Sequence, residues 1–495
     1  MNENTPLLSR QSSRQRAQTY RDRVVLVWQT WRIPILCYVA ALLLNFAETM
    51  RATPKTQLYE SILCERYYKL KSESPLGPAV EITDRMCKVP EVQEALVSLQ
   101  AWLKMGENLI ALILAIPFGK LSNTKGRTLV LILGILGHTL AEICIVLVCY
   151  FHDSVPLESL FISVALRSLG GGVMVVSAIV HAILADVVSE DRRAQAFFYL
   201  MSTQLASEVV APLLGSALMK RSVYMPLLLS FPLQILSIAV AWGIPNSTRC
   251  PKEGNDGEED DQAEHGQATQ TESLGTRIES LARFIKDQMG VILIGVSFLS
   301  SMLAGESLDY LVQYASKKFE WTLAEANYLV SFRAIANLVL FLLILPSITR
   351  TLTSRHHFSP KDVDLWTSRV SSIFGVLGAI LLGLSPSTAT VTISLVIFTL
   401  SAGFTPSIQS YGTSLVRVVD IAPFYSFLAV ARIAGTLIGS PLTAAAFNLG
   451  LKLGGAGLGM HFYVSAGFFS IAGMGAWAVG LFDRGERREE DEDGV

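Results

Sequence analysis

The chain consists of apolar runs of about twenty residues separated by short polar breaks, and such runs recur about a dozen times. A helix needs ~20 mainly apolar residues to cross the hydrocarbon core of a bilayer, and no soluble domain needs so many runs of that length. The pattern therefore predicts an all-α membrane protein with about 12 transmembrane helices.

A hydropathy window of about 19–20 residues divides the chain into two groups of six spans, joined by a polar segment of roughly forty residues. The predicted spans lie near 33–51, 95–119, 128–151, 159–184, 195–219, 223–245, 289–313, 325–348, 368–385, 389–412, 422–445 and 460–482. We therefore expect a disordered N-terminal tail (1–32), a six-helix bundle (33–245), an acidic linker (246–288), a second six-helix bundle (289–482) and an acidic tail (483–495). The linker has too few apolar residues to form a core.

Composition agrees with this pattern and argues against several classes of function. Only 17% of the 495 residues are charged, against about 25% in soluble domains. The charges are segregated along the chain, and no basic patch suited to nucleic acid is visible. The sequence also has no metal-ligand spacing, phosphate-cradling glycine loop or nucleophile motif. We expect no nucleic-acid partner, no cofactor and no enzymatic activity. Without an ATP site, the energy must come from a gradient or from the solute itself.

The distribution of Lys and Arg predicts the orientation, because short cytosolic loops carry an excess of these residues. They are frequent in both tails and in the loops 120–127 and 350–361, and they are sparse in the opposite loops. We therefore expect both termini and the linker in the cytosol. The plasma membrane is the expected location, and the vacuolar membrane is the alternative because residues 3–8 resemble an acidic dileucine sorting signal.

Two cysteines, Cys64 and Cys87, fall in the predicted first outer loop (about 52–93). That loop faces the oxidising side of the membrane if the protein lies at the cell surface. We expect a disulfide between them. Cys149, at the outer end of span 3, stays an alternative partner because sequence alone does not establish the geometry.

The loop 119–127 between spans 2 and 3 has a distinctive pattern. It begins with Gly119 and closes with Gly126 and Arg127. This resembles the signature loop of the major facilitator superfamily, in which an acid four positions after the first glycine locks the outward-facing state. Asn123 stands at that position; it can cap a helix but cannot form the ion pair.

Further segments resemble particular branches of this superfamily. Arg167 opens an Arg-and-Gly stretch that looks like the family motif associated with proton coupling, and 211–216 partly resembles a motif of proton-driven exporters. The segment 185–193, and the pattern 58–68 followed by Cys87, resemble fungal facilitator proteins related to the proton-coupled folate transporter group.

The resemblance covers about residues 33–482 and implies two related six-helix halves with a substrate site near the midplane between them. Spans 5 and 11 agree with an internal repeat, because each places a proline, Pro212 and Pro441, after a run of small residues.

Charged residues inside the predicted spans are the candidate functional groups, because each costs roughly 2.5–3.5 kcal/mol at the bilayer centre on insertion scales. They must therefore face a cavity or an opposite charge. From depth and residue type we assign proton coupling to Glu142, Glu208 and Arg167. We assign the substrate cavity to Arg432, Arg333, Glu107, Tyr310 and Gln409, and the outer gate to Glu48, Glu306 and Asp309.

Two interpretations of these charges stay open. In one they form fixed bridges between helices, and in the other some acids are proton carriers. Tyr310 and Gln409 suggest a mostly apolar pocket with a few polar anchors, which suits an amphipathic organic molecule.

The sequence as a whole predicts a secondary transporter whose partners are protons, the lipid bilayer and a small organic substrate. We expect a monomer that exports a secondary metabolite or drug-like compound in a proton-coupled cycle. Proton-coupled uptake and a non-transporting membrane sensor are the alternatives.

Overall fold

The protein is a bundle of long helices in a computed structural model that describes residues 5–71, 84–188, 190–245, 289–356, 358–416 and 421–493. No β-strand occurs in those ranges. Twelve helical spans are long and apolar enough to cross a membrane. Numbered in chain order, they are Trp31–Lys71, Pro90–Lys125, Arg127–Tyr150, Leu157–Val187, Gln195–Met219, Tyr224–Trp242, Met289–Phe319, Leu323–Ser354, Pro360–Leu384, Thr388–Leu415, Phe424–Leu453 and Gly455–Leu481. The predicted all-α, twelve-span fold class is confirmed.

Several helices are longer than the hydropathy pattern indicates. The helix of span 1 runs without interruption over Thr5–Lys71, and the helix of span 12 covers Met460–Asp493. Residues 5–32 are therefore helical where a disordered tail was predicted, and much of the predicted loop 52–93 is helix. The first residues of the predicted acidic tail, 483–493, continue the helix of span 12. Once a helix exists, each added residue gains a hydrogen bond at small entropic cost, so polar residues can extend it. The linker prediction (246–288) lies outside the described residues.

The spans pack as two bundles. Span 1 packs against spans 5 and 6, and span 3 against span 4, whereas span 12 packs against spans 7 and 9. The bundles meet where span 2 packs against span 11 and span 5 against span 8. Large apolar side chains such as Leu228, Ile235 and Leu343 are exposed on the outside, as expected for surfaces in contact with lipid tails.

The two ends of the molecule are distinguishable. Cys64 and Cys87 form the predicted disulfide, and Cys149 is a buried free cysteine. We call the end that carries this bond the disulfide end, and the opposite end, where span 12 finishes, the termini end. Spans alternate in direction, so odd-numbered spans run towards the disulfide end and even-numbered spans run away from it.

Four spans contain interruptions of regular α-helix. A 3-10 turn at Ser168–Gly170 interrupts span 4, and another at Glu306–Tyr310 interrupts span 7. Span 8 contains a π-helical segment at Leu340–Ile344, and span 10 a 3-10 turn at Leu400–Gly403. Such segments in membrane helices commonly mark functional sites, because they re-aim side chains and backbone groups.

The glycines of span 4 serve helix packing. A Cβ at Gly170 would collide with the backbone of Gly134 on span 3, so the two helices cross at a distance that only glycine permits. Gly171 and Gly172 both have φ of +79°, which redirects the chain after the 3-10 turn.

Candidate functional site

A buried charge network lies at mid-depth in the first bundle, and Glu142 on span 3 is at its centre. The Arg51 Nε atom lies 3.2 Å from one carboxylate oxygen of Glu142, and the Lys55 Nζ atom lies 3.1 Å from the other. Arg167 on span 4 pairs with Glu142 as well, and its other terminal nitrogen lies 3.0 Å from Glu107 on span 2. Glu142 is thus in contact with three cations from two other spans.

Glu48 extends this network along span 1. Its carboxylate pairs with Arg51, accepts from Lys55 at 3.4 Å and contacts the buried ring of His138. The network therefore holds three carboxylates and three basic groups besides the histidine. Such balance offsets much of the cost of placing charge inside a membrane protein.

The sequence interpretation missed Arg51 and Lys55. Predicted span 1 ended at residue 51, so Arg51 stood at its boundary and Lys55 lay outside it. The signal was present: with Glu48 they are spaced three and seven residues apart, which places all three on one helix face. The ligand atoms of Glu48, His138 and Glu142 lie within 4.8 Å of one another. The guanidinium and ammonium groups already compensate these carboxylates, so the trio does not fit a metal site.

Three ion pairs between described residues join the bundles at mid-depth. Lys104 on span 2 donates to Glu306 at 2.6 Å and also pairs with Asp309, both on the 3-10 turn of span 7. Arg333 on span 8 lies 3.6 Å from Glu208 on span 5. The structure thus brings Glu306 and Asp309 together with a partner, Lys104, that the sequence interpretation did not select.

A central cavity of about 270 Å³ lies between the bundles. Side chains of both signs line it, contributed by spans 1, 2, 4 and 7: Glu48, Lys55, Lys104, Glu107, Arg167 and Asp309. Tyr310 also lines it and stacks on Phe447, with ring centroids 5.7 Å apart. The lining of this cavity is therefore charged and polar as well as apolar.

A second cavity of about 270 Å³, here called the C-bundle cavity, lies within the second bundle. Its walls are mainly apolar and come from spans 7, 8, 10, 11 and 12, with Met302, Leu308, Phe398 and Phe469 among them. Its polar lining includes Glu306, Arg333, Asn337, Thr405 and Thr436. Glu306 and Arg333 therefore face this cavity and also reach across to the first bundle.

Two predicted cavity residues lie elsewhere. Arg432 on span 11 is exposed, and its guanidinium lies 5.5 Å from the ring centroid of Phe298. Gln409 is half-buried on span 10. Neither lines the two cavities described above. Glu107, Arg333 and Tyr310 do line them.

The loop between spans 2 and 3 is built around its last two residues. Gly126 has φ of 102° and separates the two helices. Arg127 then forms a 2.8 Å ion pair with Asp186 at the end of span 4. Gly119 lies within the helix of span 2, and Asn123 is exposed on its last turn. The loop thus fastens three spans of the first bundle together at the termini end.

Towards the disulfide end the bundles are joined by a series of polar contacts. They pair Thr53 with Asn327, Ser98 with Asn448, Gln100 with Gln313, Glu94 with Lys452, and the Lys88 carbonyl with Lys317. Asn327 also donates to the Pro212 carbonyl at 3.1 Å and to the Ser216 hydroxyl at 3.0 Å. These hydrogen bonds and ion pairs between described residues of the two bundles lie between mid-depth and the disulfide end.

Twelve membrane-spanning helices in two bundles, with compensated charges around a cavity between them, define a membrane transport protein. The sequence pattern of the Major Facilitator Superfamily matches residues 92–440. The chain belongs to this superfamily and is an integral, multi-pass membrane transporter.

Individual relatives agree with this assignment. The chain is 32% identical to the MFS efflux pump atnC of Emericella nidulans, over 90% of this chain and 87% of atnC. It is 25% identical to the efflux pump ustT of Aspergillus flavus, over 92% of this chain and 89% of ustT. A D-xylose–proton symporter of known structure has the same fold, with a TM-score of 0.61 at 12% identity over 90% of this chain and 96% of the symporter.

Proposed function

We propose that the protein exports a small organic compound, such as a secondary metabolite, by alternating access coupled to protons. Two relatives named as efflux pumps, atnC and ustT, support the direction. The partial exporter motif at 211–216 agrees with them. Uptake, which the likeness to the folate transporter branch favoured, is the alternative outcome.

The structural observation that supports alternating access is the series of polar contacts that joins the bundles towards the disulfide end. The polar contacts between described residues of the two bundles run from mid-depth to the disulfide end. Disulfides persist on the oxidising side of a membrane, so we assign the disulfide end to the outside and both termini to the cytosol. In this assignment the conformation is closed to the outside, and export requires these contacts to break.

We assign the proton site to Glu208. Its carboxylate faces Arg333 across the bundle interface at 3.6 Å and accepts from Gln204 at 3.3 Å. Protonation would remove the negative partner of Arg333 and so weaken one link between the bundles. Glu142 and Arg167 are the second proton-coupling candidates; Glu142 contacts three cations, so its protonation would leave a net positive charge in the network.

We propose that this carrier acts in the plasma membrane, with the vacuolar membrane as the alternative. We also propose that it acts as a monomer. Fluorescent tagging of both termini, combined with protease access from each side, tests orientation and location together. Digestion of a terminal tag from outside intact cells would overturn the orientation.

Metabolite profiling of cells that lack the gene tests the direction of transport. For an exporter we expect at least one organic compound to rise inside the cells and to fall in the medium. The opposite change would favour uptake. Purified protein that binds this compound but moves none of it into liposomes, with or without a pH gradient, would favour a sensor.

The variant Glu208→Gln tests the proton site. We expect it to insert normally and to lose the dependence of transport on an imposed pH gradient, because an amide cannot take up and release the proton. Glu91→Gln is the matched control, since Glu91 is exposed near the start of span 2. Gradient-driven flux equal to that of the wild type would remove Glu208 from this role.

A further inference from the structure

The C-bundle cavity contains a buried polar group that lacks a partner. Asn337 on span 8 is only 9% exposed, and its Oδ1 atom accepts no hydrogen bond from any described residue. Buried carbonyl oxygens are nearly always hydrogen-bonded, so an unpaired one on a residue that lines a cavity indicates a missing donor.

We propose that the C-bundle cavity is a substrate-recognition pocket in which Asn337 Oδ1 accepts a hydrogen bond from an N–H or O–H group of a neutral, mainly apolar organic compound. This inference rests on the proposed transport function and specifies the substrate class at that site.

The neighbouring hydroxyl groups do not supply the missing donor. Thr399, Ser401 and Thr436 line the same cavity, and each donates its proton to a backbone carbonyl of its own span. A hydroxyl has a single proton, so these three groups have none left for Asn337.

The local helix geometry also points to a binding site. The 3-10 turn Glu306–Tyr310 and the 3-10 turn Leu400–Gly403 both contribute lining residues, and the π-helical segment Leu340–Ile344 begins three residues after Asn337. Substrate sites of secondary transporters are typically built from discontinuous helices near mid-membrane. Two such interruptions contribute to the walls of this cavity, and the π-helical segment begins about one turn beyond Asn337.

The charges of the cavity indicate a neutral ligand. Arg333 is paired with Glu208, and Glu306 with Lys104, so both charged lining residues already have partners in the other bundle. A charged ligand would have to displace one of them. The volume of about 270 Å³ lies near the lower end of the ~300–1,000 Å³ typical of small-molecule pockets, which suits a compact compound.

Apolar side chains give such a ligand most of its contact surface. Phe398 and Phe469 present aromatic surface from spans 10 and 12, their rings packed edge-to-face with centroids 5.7 Å apart. Met302 and Leu308 line the cavity from span 7. An aromatic amide or an indole combines the required apolar body with one N–H donor.

Binding of matched probe pairs to the purified full-length protein tests the proposal. The probes are indole with 1-methylindole, and 2-phenylindole with 1-methyl-2-phenylindole; in each pair an N-methyl group replaces the N–H donor. We expect at least one N–H probe to bind the wild-type protein on the order of five- to tenfold more tightly than its methylated partner. Failure of both pairs to show this difference would overturn the proposal.

Two variants locate the effect at residue 337. Asn337→Leu should abolish the preference for the N–H probe, whereas Asn337→Asp, which keeps an acceptor oxygen, should retain it. His181→Ala is the matched control, because His181 lines a different cavity in the first bundle. A preference that survives Asn337→Leu would contradict the assignment. An unchanged melting temperature of the ligand-free variant shows that it is folded.

The binding test is independent of the direction and coupling of transport. Loss of the N–H preference in Asn337→Leu supports the pocket even if metabolite profiling indicates uptake. Conversely, export with no role for Asn337 would leave the proposed function standing and remove only this inference.

Discussion

Lys104 illustrates how the function of a charge depends on its partner. Glu306 and Asp309 were assigned from sequence to an outer gate, but two neighbouring acids on one turn repel each other and do not close a gate alone. Lys104 supplies the opposite charge from the other bundle, at a position 202 residues away from Glu306. The ion pairs that these three residues form are therefore a property of the bundle interface.

The variant Lys104→Met is expected to weaken closure of the disulfide end. Because Lys104 is partly exposed, we expect an effect of about 1 kcal/mol, which is roughly a fivefold change in the population of the open state. The measurement is the rate at which a membrane-impermeant maleimide labels Ala52→Cys, which lines the central cavity.

The matched control for this variant is Lys452→Met. Lys452 also joins the bundles, through Glu94, but its side chain is 61% exposed, so its loss should change labelling less than twofold. Equal labelling of Ala52→Cys in the Lys104→Met and unmodified backgrounds would show that Lys104 does not hold this end closed.

At the scale of helices, small residues and interruptions decide how the spans pack. The crossing of spans 3 and 4 depends on Gly134 and Gly170, whose backbones touch. The pattern of apolar residues predicted the spans themselves. It did not indicate the 3-10 and π segments of spans 7, 8 and 10, because hydrogen-bond register within a helix responds to neighbouring helices as well as to local propensity.

Gly170→Ala is expected to destabilise the protein. The added Cβ would meet the Gly134 backbone, which cannot move aside as a flexible side chain could, and such overpacking costs about 1–3 kcal/mol. The measurement is the melting temperature of the purified protein. Gly467→Ala is the control, because a Cβ there meets no heavy atom within 4 Å. Equal melting temperatures for the two variants would contradict this account of the crossing.

At the scale of the whole molecule, the disulfide fastens the extension of span 1 to the start of span 2. Beyond the bond, Lys88 makes a buried ion pair with Glu60 at 2.6 Å, and its carbonyl accepts from Lys317 of the second bundle. The disulfide thus stabilises the part of the first bundle that touches the second at the closed end.

Cys64→Ser is expected to lower the free energy of unfolding. The bond closes a loop with a sequence separation of 23, for which the chain-entropy account gives about 3 kcal/mol. The measurement is denaturant-induced unfolding in detergent. Cys144→Ser, which removes a half-buried free cysteine, should have a much smaller effect. Similar unfolding midpoints for the two variants would argue against a stabilising role for the disulfide.

The sequence by itself determined the number of spans, their grouping into two sets of six and the residues that carry charge into the membrane. These follow from bilayer thickness, from the cost of desolvating charge and from local motifs, all of which act within one segment. Only the tertiary structure decided which charges meet. It paired Glu142 with Arg51, Lys55 and Arg167, joined Lys104 to span 7, and left Asn337 facing a cavity. Those contacts join spans far apart in the chain, so they depend on how the helices pack.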